Sequence, residues 1–117
     1  MKLSDLTAIS PVDGRYACKT DNLRSVFSEY ALIKQRLLVE VSWLFFLAKN
    51  DAIKEIPTLS IEASAILDSL YSNFSIQDAT RIKEIEKTTN HDVKAIEYFI
   101  KEKISENNEL LTLSEFV

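Results

Sequence analysis

Apolar side chains recur at steps of three and four through most of the chain, and each such run predicts an amphipathic helix. The first run joins Leu23, Val26, Phe27, Tyr30, Ile33, Leu37, Val41, Leu44 and Ala48 into one face of a long helix, from about Leu23 to Lys49. Leu38, Phe45 and Phe46 widen the apolar arc of its C-terminal half, the pattern of a helix covered on two sides, by core or by another chain. Pro57 interrupts "KNDAIKEIPTL", which therefore reads as a connection. Ser60 predicts the N-cap of a helix reaching about Asn73, with Glu62 near its positive end and Ala63, Ile66, Leu67, Leu70 and Phe74 on its apolar face. Ser75 and Asp78 have the spacing of a capping box, with Asp in place of Glu. The helix they open, to about Lys87, is thinly apolar: Ala79, Ile82 and Ile85 stand among charged residues. The pattern stops at Thr88–Asn90. Thr89 or Asn90 is placed to cap the next helix, whose buried face is Val93, Ile96, Phe99, Ile100 and Ile104, to about Ser105. The closing "LLTLSEFV" is apolar and turns helical again.

Composition narrows the class. One glycine and two prolines leave little punctuation for hairpins or sheets, so the chain is expected to be all-α. Residues 1–22, with Pro11 and the Asp13-Gly14 turn pair, read as an extended or looped arm, and residues 23–117 as a small helical domain. At 46% hydrophobic and 27% charged residues the composition is globular, and a net charge of −4 argues against a general nucleic-acid binder. The lone Cys18 cannot form an internal disulfide, which fits a reducing compartment. With one Cys and one His, a four-ligand structural zinc site is not expected. The chain has neither the apolar core of a signal peptide in "MKLSDLTAIS" nor a run of about 18 apolar residues for a membrane span. A soluble, cytoplasmic protein with no nucleic-acid or membrane partner is expected. Leu110, Leu111, Leu113, Phe116 and Val117 cost about 25 cal/mol per Å² when left in water. The expectation is an excised domain whose missing part covers them.

Two stretches carry candidate chemistry. "TTNHD", residues 88–92, puts two hydroxyls, the Asn90 amide and the only imidazole, His91, at a helix N-terminus. Unpartnered backbone N–H groups and the helix dipole favour anions there. The plainer reading is a Thr-Thr-Asn cap with His91 as a surface residue, and on local sequence it leads. "DGRY", residues 13–16, is a turn able to present Arg15 and Tyr16 side by side, a planar fork for phosphate or carboxylate beside a hydroxyl. Its plainer reading is a surface turn with Arg15 in an ion pair. Cys18 has no neighbour that would activate it, and Trp43 and its neighbouring phenylalanines read as packing.

Taken together and in order, "LTAISPVDGRY", "FSEYALIKQRLLVEVSWL", "RIKEIEKTTNHDVKAIEYFIKEK" and "LSEFV" resemble the N-terminal domain of the bacterial adenylosuccinate lyase family, within the fumarase and aspartase superfamily. The specific parts are "SPVDGRY" and "TTNHDVKAIEYF". The resemblance implies an enzyme that removes a proton beside a carboxylate and releases fumarate at two steps of purine biosynthesis. It implies no metal or organic cofactor, and a homotetramer in the complete enzyme. It places Arg15 and Tyr16 on the nucleotide part of the substrate and Asn90, His91 and Asp92 along the site. His91 takes the part of a histidine that either donates a proton or positions the substrate, and positioning is the reading preferred here. The family's main catalytic histidine and its general-base serine lie in segments that this sequence does not contain. On this resemblance the 117 residues alone are inactive. Two other readings stand beside it: a sister enzyme such as an argininosuccinate lyase, and a non-catalytic helical interaction module.

Overall fold

Every regular element in the computed structural model, which describes residues 2–117, is helical. The α-helices are α1 (Arg24–Phe27), α2 (Glu29–Ala48), α3 (Ile61–Ser72), α4 (Ile76–Thr89), α5 (Asp92–Ile104) and α6 (Asn108–Leu111). Single turns of 3-10 helix occupy Ala17–Lys19, Asp21–Leu23 and Thr112–Phe116. The chain divides into two compact units, one ending at Leu32 and one spanning residues 33–117.

In the first unit residues 2–22 take the looped form, not the extended one. Successive turns close on short-range bonds: Thr7 and Ala8 donate their N–H groups to the Ser4 carbonyl at 3.0 and 2.8 Å, and Asp13 and Gly14 donate to that of Ser10 at 3.1 and 3.0 Å. Gly14 is buried, and a Cβ there would lie 2.9 Å from the Asp5 carbonyl oxygen. Only glycine lets the two backbone segments approach so closely.

The long helix expected from Leu23 to Lys49 is broken at Ser28. Ser28 is extended, at φ −84° and ψ 166°. Its hydroxyl accepts the Ala31 N–H at 3.2 Å and its carbonyl the Leu32 N–H at 2.9 Å, so it is the N-cap of α2. Leu23, Val26 and Phe27 are exposed, whereas Ile33, Leu37, Val41 and Leu44, which the pattern put on the same face, are buried. Within this chain α2 is covered on one side: Val39, Trp43 and Phe46 are exposed, with the Trp43 and Phe46 rings stacked at 5.6 Å.

The second unit is organised around α5, whose Ala95, Ile96, Phe99, Ile100 and Ile104 are all buried. It packs against α3, α4, α6 and the turn Thr112–Phe116. The α4–α5 pair is the most extensive of these contacts. It forms an antiparallel hairpin, with Phe74 against Phe99 edge-on at 6.4 Å, Asp78 bonded to Lys103 at 3.1 Å and Arg81 gripping both carboxylate oxygens of Glu102. The expected caps at Ser60 and Ser75 are present, the second as a reciprocal capping box with Asp78. Glu109 holds the start of α3, accepting from the Ser60 N–H at 2.5 Å and the Ser60 hydroxyl at 2.7 Å. The apolar end does not wait for an outside cover as a whole, because Leu110 and Leu113 are fully buried in the chain's own core and only Leu111 of the leucines stays exposed.

Candidate functional site

The break between α4 and α5 consists of two residues with opposite backbone requirements. Asn90 sits in the left-handed region, at φ 53° and ψ 30°, and donates its N–H to Glu86 at 2.7 Å to end α4. Asparagine tolerates that conformation better than other residues with a Cβ. His91 then swings to the extended region, at φ −150° and ψ 119°, and begins α5. Thr89 braces it: its hydroxyl donates to the His91 carbonyl at 3.1 Å and accepts the His91 N–H at 3.4 Å.

The cap of α5 is His91 itself, not Thr89 or Asn90. Its Nδ1 accepts the Lys94 N–H at 3.1 Å. A backbone N–H can only donate, so Nδ1 must carry a lone pair, and in the neutral ring the proton resides on Nε2. The side chain is 64% exposed, and Nε2 has no protein partner among the described residues. The imidazole therefore presents one N–H donor outward.

Asp92, the first residue of α5, is committed to the chain. Its Oδ1 accepts the Val93 N–H at 2.8 Å and its Oδ2 is bonded to Arg36 of α2. The Val93 bond and then the Arg36 bond hold its carboxyl below the ordinary aspartate range. This changes the chemistry expected of the helix start. The Val93 and Lys94 N–H groups are already satisfied by Asp92 and His91, and the Asp92 charge already meets the positive end of α5. The donors left for an anion are side chains: His91 Nε2–H, the Asn90 amide and the Thr88 hydroxyl. Arg36 escapes local reading because the partner that gives it a role is 56 residues away.

In the first unit, the turn at Asp13-Gly14 sets Arg15 against Tyr16. The guanidinium carbon lies 4.7 Å from the ring centre, with Lys19 Nζ at 5.7 Å from the same ring. Stacking on the ring leaves the guanidinium N–H edge open. Arg15 makes no ion pair among the described residues, whereas Asp13 lies 3.5 Å from Arg24. The result is a cationic and aromatic patch of Arg15, Tyr16 and Lys19. Cys18 is free and exposed, and no helix among the described residues is long and apolar enough to cross a membrane.

A family profile described as lyase matches residues 14–117. The chain is similar to the adenylosuccinate lyase of Escherichia coli K12, with 57% identity over 117 residues, which is 100% of this chain and 26% of that protein. Adenylosuccinate lyases of Vibrio cholerae and Legionella pneumophila are 56% and 50% identical over the same shares. The chain thus spans 26% of the length of the curated relatives it matches.

Proposed function

The chain belongs to the lyase family, and from that premise we propose that it is the substrate-contacting N-terminal domain of an adenylosuccinate lyase. The complete polypeptide eliminates fumarate from adenylosuccinate, giving AMP, and from the succinylated carboxamide ribotide, giving the free amide. It is a homotetramer, works in the cytoplasm and needs no metal or organic cofactor. The observation that carries this reading is the 57% identity to an adenylosuccinate lyase across every residue of the chain. The sister-lyase and interaction-module readings have no observation of that kind behind them.

The geometry supports a division of labour. The substrate carries a phosphate and two carboxylates. Arg15, with its guanidinium edge free, and Tyr16, with its hydroxyl, suit the nucleotide part. His91 suits an anionic oxygen of the substrate, to which it donates from Nε2 as a neutral imidazole. A ring whose other nitrogen is tied to the Lys94 backbone is fixed in orientation, which favours positioning over proton shuttling. Asn90 supplies a second donor beside it. Asp92 reaches the substrate only indirectly, because both of its oxygens are engaged. Elimination also needs a base for the proton beside the carboxylate, and that group belongs to the larger part of the polypeptide.

The test is fumarate release by the complete polypeptide, given adenylosuccinate and, separately, argininosuccinate. Turnover of the first alone is the expected result, with none from the 117-residue chain by itself. Turnover of argininosuccinate, or of neither substrate, contradicts the proposal.

A further inference from the structure

We propose that Arg36 is a positioning residue for His91, acting through Asp92 to select the imidazole tautomer that donates outward. Asp92 Oδ1 lies 3.8 Å from His91 Nδ1, so two arrangements compete for that nitrogen. In the one observed, Nδ1 accepts the Lys94 N–H at 3.1 Å, which places the proton of a neutral ring on Nε2. In the other, Nδ1 carries the proton and donates to Asp92. Nε2 then presents a lone pair where an anion would sit, and α5 loses its side-chain cap.

The Asp92 carboxylate decides between them. Unpaired and beside the ring, it draws a proton to Nδ1. Held by the Arg36 guanidinium on Oδ2 and the Val93 N–H on Oδ1, it has both oxygens engaged and its charge offset. Arg36 therefore keeps the lone pair on Nδ1 and the donor on Nε2. It also cancels a negative charge next to a group suited to an anion. The pairing joins α2 to the first residue of α5, so the orientation of His91 depends on the seating of both helices.

What Nε2–H is used for rests on the proposed function; the tautomer selection is a property of the chain itself. The chain has a single histidine, so long-range ¹H–¹⁵N correlation reads its ring alone. With the ring in its neutral form, the wild-type chain is expected to show a protonated Nε2 and an unprotonated Nδ1. Arg36→Met is expected to shift both nitrogens toward the Nδ1–H tautomer, and Arg36→Lys to restore much of the original pattern. Adding Asp92→Asn to Arg36→Met removes the competing carboxylate and is expected to return the ring to Nε2–H. If Arg36→Met does not fold, as judged by circular dichroism, Arg36→Gln takes its place.

An unchanged ring pattern in a folded, uncharged Arg36 variant overturns the proposal, and failure of Asp92→Asn to reverse the shift overturns the route through Asp92. In the complete polypeptide the same Arg36 variant is expected to lower kcat by about tenfold or more, with a smaller change in KM. Absence of lyase turnover in the wild type, with the ring pattern behaving as described, counts against the proposed function and leaves this inference standing.

Discussion

His91 does two jobs that substitutions can separate. As a cap it satisfies the Lys94 N–H, and losing that bond costs about 0.5–2 kcal/mol. As a donor it offers Nε2–H. His91→Ala removes both, and thermal melting of the chain is expected to show a loss of about 1 kcal/mol. His91→Asn keeps a side-chain oxygen suited to capping, so it is expected to melt close to the wild type. Equal destabilisation by the two variants would contradict the cap assignment. The double role also explains what the sequence concealed. Thr89 and Asn90 are the residue types that usually cap, and histidine seldom does. The choice was made by Asn90, whose left-handed backbone ends α4 and delays the start of α5 by one residue. Gly14 is a second decisive residue. Gly14→Ala would bring a Cβ to within 2.9 Å of the Asp5 carbonyl. The expected outcome is faster amide exchange at residues 13–17, with little change in α3 to α6.

Among the elements, the α4–α5 hairpin was the most legible and α2 the least. Ser75, Asp78 and the apolar spacing of α5 are local signals, and the local bonds they imply are present. The break before α2 lay inside an apolar pattern that runs on unbroken from Leu23 through Tyr30 to Ile33, and a single Ser28 gave no periodic sign of it. The hairpin carries its own response to acid. Burial raises the Asp78 carboxyl, but the Ser75 hydroxyl, Lys103 and the Ser75 N–H outweigh it and leave the group below the ordinary range. A depressed folded value means that the stabilisation is present above the unfolded value and is lost as the pH falls through the folded one. Stability is therefore expected to drop below about pH 4, with Asp78→Asn less stable at neutral pH and its denaturant midpoint flatter across that range. A variant midpoint as steep as the wild type's would remove Asp78 from the account.

For the whole chain, the fold class followed from the scarcity of breakers, while the fate of its apolar surface did not. Periodicity gives the face of a helix but not its neighbour. Leu110 and Leu113 turn inward because Asn107, accepting the Glu109 and Leu110 N–H groups, starts a short helix that folds back toward α3 and α5. Leu110→Ala and Leu113→Ala are each expected to cost about 2–5 kcal/mol in equilibrium unfolding, as fully buried leucines do. Losses of a few tenths would mean that these residues are not part of the core. The candidate site was half legible. "DGRY" and "TTNHD" stood out as residue types, but the partners of Asp92 and His91, Arg36 and the Lys94 backbone, came from the fold.

The central claim is that His91, as an outward donor, forms part of the site of a fumarate-releasing lyase. Its most direct test is the kcat for adenylosuccinate of the complete polypeptide carrying His91→Asn, beside the wild type. Loss of one transition-state donor is expected to lower it by about a hundredfold or more, in a protein that still folds. Near wild-type turnover in that variant would take His91 out of the site and contradict the account.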